Sequence, residues 1–328
     1  MNIIKNLHEL LNSEINKINE LIIDCCASGK EELISDVSKY LFNSGGKRIR
    51  PILTILTSKL FNYNGTHHIT LAASVELIHS ATLLHDDVID NSLMRRFKPT
   101  ANSLWGNKSI ILIGDFLFSQ SFKLMVKADS MNALDLLSSA SATIASGEVS
   151  ALVQFMKRKI ITQEEYYDII NAKTAQLFAA ATKIGGIISG QNNQVCQELW
   201  HFGINLGNLF QIRDDVLDYY GDGKDTGKNT GDDFIEGKVT LPMILLHQKL
   251  PKQDQIIVEQ MINAQIRHKK EFEWTLKKLH EYEVQDDINK YIEILQGNAM
   301  KHLNSINVNN QYTEYLQQLI EFVAIRYN

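Results

Sequence analysis

The sequence predicts an all-α fold, and three observations lead there. Only four prolines occur, at Pro51, Pro99, Pro242 and Pro251, so the run from Thr100 to Leu241 has room for several long helices that proline would otherwise break. Apolar residues recur at helical spacing along most of the chain, while strand signals are weak. No Pro/Ser-rich linker, abrupt shift of composition or internal repeat divides the chain, so residues 1–328 read as a single domain.

Taken in order, Ile3, Ile4, Leu7, Leu10, Leu11, Ile15, Ile18, Leu21 and Ile22 form a first apolar stripe. The same spacing marks the segments around 70–90, 109–127, 137–156, 164–187 and 195–218. The stretch from Ile69 to Ile89 is apolar almost all round, as expected of a helix buried in a large bundle. Ahead of it, Gly45-Gly46 suits a turn and Pro51 suits the first position of a helix. From Tyr220 to Lys238, Gly221, Gly223, Gly227, Gly231 and Gly237 stand among alternating charges and predict a long non-helical region, of the kind that serves as a lid. The tail from about residue 252 carries an amphipathic helical pattern and no legible chemistry.

Composition excludes some partners. Lys plus Arg is 33 against 38 for Asp plus Glu, a net charge of −5 with no long basic run, which argues against a general nucleic-acid binder. Cys25, Cys26 and Cys196 are no disulfide framework and suit a reducing compartment. No stretch approaches the roughly 18 uninterrupted apolar residues of a membrane span, and the first residues lack the apolar block of a signal peptide. The expectation is a cytoplasmic protein without a stable membrane anchor.

Ten of the 19 aspartates fall in two places: Asp86, Asp87 and Asp90, then Asp214, Asp215, Asp218, Asp222, Asp225, Asp232 and Asp233. Both clusters contain Asp-Asp-x-x-Asp, which this composition would produce about 0.06 times per chain by chance, so two copies are a signal. On a helix Asp86 and Asp90 share a face, as do Asp214 and Asp218. Like charges so placed repel, and a cation must offset that. All-oxygen ligation suits a hard ion such as Mg²⁺, which keeps waters and shares carboxylates with substrate phosphates. A merely solvated acidic face is disfavoured, because Leu83, Leu84, Val88 and Ile89, then Phe210, Ile212, Val216 and Leu217, surround the clusters.

Basic groups supply the complement. Gly45-Gly46-Lys47-Arg48-Ile49-Arg50-Pro51 puts three cations at a helix start, where they oppose the macrodipole unless an anion binds there. Arg95 and Arg96 follow the first acidic cluster, and Lys173-Thr174, Lys228 and Lys238 are further cations beside apolar or Gly-rich sequence. Two acidic faces and several separated basic groups describe a pocket for two phosphorylated ligands, one bridged by metal and one held by Lys and Arg.

These blocks resemble the trans-isoprenyl diphosphate (polyprenyl) synthase family, and within it the bacterial octaprenyl diphosphate synthases. The likeness is carried by residues 45–51, by Leu-Leu-His-Asp-Asp-Val-Ile-Asp at 83–90 followed by Arg95-Arg96, and by Gly-Asn at 106–107 and Gly-Asp at 114–115. It continues through Gly-Glu at 147–148, Lys-Thr-Ala at 173–175, Phe-Gln-Ile-x-Asp-Asp-x-x-Asp at 210–218 and Gly-Lys-x-Thr-Leu-Pro at 237–242. Order and spacing agree over about 40–245, and Phe97 departs from the Gly that many relatives carry after the paired arginines. The resemblance implies an all-α bundle of long antiparallel helices around a central cavity, a homodimer, and two or three Mg²⁺ ions per active site. It assigns the ions to Asp86 and Asp90 on one side and Asp214 and Asp218 on the other, with Asp87 and Asp215 completing the catalytic motifs. Lys47, Arg50, His79 and Arg96 would hold isopentenyl diphosphate. Arg95, Lys173, Thr174, Gln211, Lys228 and Lys238 would contact the allylic diphosphate, Lys173 and Lys238 acting in catalysis as well.

For chain length, the growing tail is expected to run from Asp86 back along the same helix toward Ile69, 17 residues or about 26 Å at the helical rise. Ala81 and Thr82, one turn upstream, are small and leave that path open, and Leu124 and Met125 on a facing helix are candidates for its floor. The expected product is long, around octaprenyl, for quinone side chains; a farnesyl or geranylgeranyl synthase is the shorter-chain alternative. Glu76-x-x-His79 and Glu198-x-x-His201 also fit the pairs of a di-iron carboxylate bundle, but about 0.6 such pairs arise by chance and that reading leaves both Asp clusters unexplained.

Overall fold

The computed structural model describes residues 3–95, 97–221, 230–264 and 266–325. The expected helices are there: α1 (Ile3–Leu10), α2 (Asn12–Ala27), α3 (Glu32–Asn43), α4 (Ile49–Leu60) and α5 (His67–Ile89). A hairpin of two-residue strands, β1 (Met94–Arg95) and β2 (Lys98–Pro99), leads to α6 (Ala101–Trp105), α7 (Asn107–Lys127) and α8 (Met131–Lys157). After α9 (Gln163–Ile170), one π-helical turn (Asn171–Ala175) continues into α10 (Gln176–Ile188), and α11 (Asn193–Tyr220) follows. The rest is α12 (Asp232–Glu236), α13 (Leu241–Lys249), α14 (Lys252–Asn263), α15 (Lys269–Glu281), α16 (Val284–Ser305) and α17 (Gln311–Ile325).

Helix starts follow local chemistry. Ser130 and Asn192 cap α8 and α11 by accepting from Ala133 N and Val195 N, and Thr162 with Glu165 forms a reciprocal capping box on α9. Pro51 takes the third helical position of α4, not the first: Ile49 opens the helix and Arg48, at φ 49°, turns the chain into it. A proline there still falls in the first turn, where its missing N–H breaks no intrahelical bond. The region expected to be non-helical is shorter than predicted, because α11 runs on to Tyr220 and Asp232–Glu236 is helix. Residues 222–229, with Asp222 and Asp225, lie outside the described residues.

α5 is apolar all round because it is the buried centre, packed on α7, α4, α2 and α10. Opposite it, α11 packs on α10 and α16, while α10 bridges α4, α8 and α11. α17 returns to cover α1, α4 and α11, so apolar residues from Ile3 to Ala324 join one core. By length and composition α7 and α8 are each apolar enough to cross a bilayer, although 44% and 28% of those stretches are buried inside this bundle.

Candidate active site

α5 and α11 face each other across a cavity of about 690 Å³. Along α5 and its C-cap the lining residues are His79, Thr82, Leu83, Asp86, Ile89 and Asp90; along α11 they are Phe210, Gln211, Asp214, Asp215, Leu217 and Asp218. Steps of three and four residues along His79, Leu83, Asp86 and Asp90, and along Gln211, Asp214 and Asp218, keep these side chains on one helical face. The two acidic motifs, 128 residues apart in sequence, thereby meet. The same spacing turns Asp87 away from the lining: it is buried and accepts two hydrogen bonds from Arg95, at 2.9 and 2.8 Å. Burial opposes the charge on Arg95, but Asp87 outweighs it and raises the guanidinium pKa.

The basic residues of the lining come from several elements: Arg50 from α4, Arg95 from β1, Arg158 and Lys159 just after α8, Lys173 from the π turn and Lys238 just after α12. The π turn delivers Lys173 and Thr174, and it fits because glycines flank it. A Cβ on Gly147 would come within 2.6 Å of Ala172 Cβ, and one on Gly207 within 2.5 Å of Ala175 Cα. Lys173 Nζ pairs with Glu148 at 2.6 Å. Burial disfavours the ammonium, yet Asp86 and Glu148 outweigh that and raise its pKa. From the end of α12, Lys238 reaches Asp90 at 2.9 Å, Glu236 at 2.9 Å and Asp233 at 3.4 Å. These acids overcome the burial penalty and push Lys238 well above the ordinary lysine range. Its backbone is held by the buried Arg267, which donates to the carbonyls of Phe234, Gly237 and Lys238. Arg50, in the first turn of α4, donates to His79 Nε2 at 3.1 Å and lies over the Phe178 ring at 4.5 Å. Burial draws Arg50 down to about 10, against the pull of Glu76.

Asp215 is buried and committed on both oxygens: Tyr166 donates to Oδ2 at 2.6 Å and Gln211 Nε2 to Oδ1 at 2.8 Å. Burial first, then Asp233, lifts its pKa to about 7. Asp86 is raised too, by burial and by Asp90, with Lys173 opposing.

Eight carboxylates and six Lys or Arg side chains line the cavity among the described residues. No three acidic, histidine or cysteine groups among those residues converge closely enough to hold an ion by themselves. The all-oxygen donor set fits a hard cation whose remaining ligands are water and a substrate diphosphate. The ammonium groups on Asp90 and beside Asp86 already show that these carboxylates take positive charge.

Other expected residues stand apart from the cavity. Lys47 lies with its ammonium 5.4 Å from the Phe322 ring of α17 and is not among the lining residues. Thr82 lines the cavity, whereas Ala81 on α5 and Leu124 and Met125 on α7 are buried and are not among the lining residues. Arg96 and Lys228 lie outside the described residues. The structure adds Glu148, Tyr166, Asp233 and Glu236 to the lining. Glu148 sat in a matching motif without a role, and Asp233 with Glu236 stood in a segment read as loop. Tyr166 at helical spacing reads as packing, and nothing in the sequence distinguishes it.

Residues 31–279 match the family model described as Polyprenyl synthetase. The chain belongs to the polyprenyl synthetase family. It is a prenyltransferase, a trans-polyprenyl diphosphate synthase acting on isoprenoid diphosphates. Octaprenyl diphosphate synthase of Escherichia coli (strain K12) is 40% identical over 266 residues, 81% of this chain and 82% of that one. A geranylgeranyl diphosphate synthase of Saccharolobus solfataricus is 32% identical over 327 residues, 96% of each chain. Among solved structures, a polyprenyl synthase from Caulobacter crescentus CB15 complexed with calcium and isoprenyl diphosphate superposes with a TM-score of 0.93. It is 36% identical, over 99% of this chain and 98% of that one. Enzymes of this polyprenyl synthetase family are metal-dependent.

Proposed function

We propose that this enzyme uses Mg²⁺, two or three ions per active site, to elongate farnesyl diphosphate with isopentenyl diphosphate into a long all-trans chain, octaprenyl diphosphate, for quinone side chains. The observation that carries this reading is the convergence of Asp86, Asp90, Asp214 and Asp218 with Lys173 and Lys238 on one cavity. Bound Mg²⁺ would supply neutralisation of the departing diphosphate, held by those four aspartates. Lys173, Lys238 and Arg95 then add fixed positive charge where that diphosphate sits, and Thr174 and Gln211 orient it. Arg50 and His79, which line the cavity, hold the diphosphate of isopentenyl diphosphate, and Lys47, which stands apart from the lining, is the further cation that the resemblance assigns to it. Leu83, Leu152, Phe155, Ile170 and Phe210 keep water from the allylic carbon while the neighbouring double bond attacks it. The new bond forms as the C–O bond to diphosphate breaks, and loss of a proton leaves an allylic diphosphate one unit longer.

The small side chains of Ala81 and Thr82 and the likeness to an octaprenyl synthase support a long product. A geranylgeranyl-length product is the second reading, favoured by the full burial of Ala81 and by the archaeal relative. The shared core from Ile3 to Ala324 supports treating residues 1–328 as one catalytic unit. Ile111, Leu112 and Val126 on α7, with Met131, Val149, Val153 and Met156 on α8, are exposed, and this apolar surface supports a homodimer. The vicinal thiols Cys25 and Cys26 suit a cytoplasmic site of action.

The test is turnover with and without chelator, and in Asp86→Asn and Asp214→Asn. Elongation is expected to stop in chelator, return with Mg²⁺, and fall by about two orders of magnitude or more in each variant while helical content is kept. Full activity in chelator, or in both variants, contradicts the reading.

A further inference from the structure

We infer that Tyr166 is a positioning residue for the allylic diphosphate pocket, acting through Asp215 on Gln211 and Thr174; the inference rests on the function proposed above. Tyr166 is 3% exposed, and its hydroxyl donates to Asp215 Oδ2 at 2.6 Å. The other oxygen, Oδ1, accepts from Gln211 Nε2 at 2.8 Å. A carboxylate only accepts, so this contact decides which way the Gln211 amide faces. Its nitrogen turns to Asp215 and its oxygen to Thr174, whose hydroxyl donates to Oε1 at 2.8 Å. One buried carboxylate therefore orients two polar groups of the cavity wall, and the Tyr166 hydroxyl is what holds that carboxylate from its far side.

The placement of the elements gives this chain its consequence. Tyr166 stands on α9, two helical turns before Lys173, and α9 runs without a break into the π turn that carries Lys173 and Thr174. Asp215 stands on α11 between Asp214 and Asp218. The Tyr166–Asp215 bond thus fixes the π turn against the second acidic face. With both oxygens engaged, Asp215 serves as a hub for positioning on the cavity wall that Asp214 and Asp218 also line.

Tyr166→Phe removes the hydroxyl and keeps the ring. Initial rates are measured with Mg²⁺, varying farnesyl diphosphate at saturating isopentenyl diphosphate and then the reverse, alongside thermal melts. The KM for farnesyl diphosphate is expected to rise about ten-fold, with the KM for isopentenyl diphosphate changed less than about two-fold. Asp215→Asn is expected to show the same selective loss, and adding Tyr166→Phe to it to change little further, since the hydroxyl acts through that carboxylate. A side chain that only packs would lower the melting midpoint in both backgrounds without moving one KM alone. Unchanged constants in Tyr166→Phe, equal losses for both substrates, or losses that multiply in the double variant overturn the inference. If Tyr166→Phe does not fold, Asp215→Asn decides by the same selectivity. Failure of the proposed function is distinguishable, because wild-type enzyme then makes no elongated product from either substrate series.

Discussion

Arg48 and Arg50 stand two residues apart and do different work. Arg48, in the left-handed region at φ 49°, sends its guanidinium to Glu76 and to the Phe42 carbonyl, which stitches the glycine turn to α5. Arg50, already helical, faces the cavity beside His79. Spacing alone puts both in one run of cations at a helix start, and only the family resemblance singles out Arg50 as a diphosphate ligand, because the backbone turn between them has no signature in such a run. The same holds for the aspartates: both motifs are legible as metal faces, but which member of each is committed to a protein partner depends on helical phase and surroundings, Asp87 to Arg95 away from the lining and Asp215 to Tyr166 on it. A prediction at this scale concerns the two pockets. Arg50→Ala and Lys47→Ala should raise the KM for isopentenyl diphosphate, and Lys173→Ala and Lys238→Ala that for the allylic substrate. Loss of a charge-assisted contact costs about 1.5–3 kcal/mol, or roughly ten-fold to more than a hundred-fold. Steady-state kinetics in both substrates check it, and equal effects of all four variants on both constants would refute the partition.

The element that sequence could not resolve is the stretch 164–187, read as one helical pattern and found as α9, a π turn and α10. A single π turn inserts one residue into a helix, a disturbance too small to break apolar periodicity, and such turns are frequent at functional sites. Its cost is met by close packing through Gly147 and Gly207. Gly207→Ala is expected to destabilise the fold by about 1–3 kcal/mol, because its Cβ meets backbone that cannot yield. A thermal melt reads this as a fall of several degrees, and an unchanged midpoint would show that the turn has slack. Phe97 is the converse case: at φ 62° it occupies a conformation that favours glycine, and the residue is 64% exposed. Likewise α12 was hidden in a Gly-rich acidic segment, and Arg267 from the chemically silent tail holds its end.

At the scale of the whole molecule, the cavity exists because two helices from distant parts of the chain bring their carboxylate faces together, with the basic groups carried in by α4, β1, the end of α8, the π turn and the segment after α12. The helices were legible from spacing, but the closure of α17 over α1, α4 and α11 was not, since amphipathic stripes do not name their partners. Chain length belongs to this scale as well. If the tail runs down α5 from Asp86, Ala81→Tyr should place a ring in its path and shorten the product to about three or four isoprene units, with early condensations intact. An unchanged product from this variant would show that this face does not line the tunnel. The most direct measurement of the central claim is the mass of the product that the wild-type enzyme makes from farnesyl diphosphate and isopentenyl diphosphate with Mg²⁺. A polyprenyl diphosphate of about eight units is the predicted result, and no product, or one of four units or fewer, would contradict it.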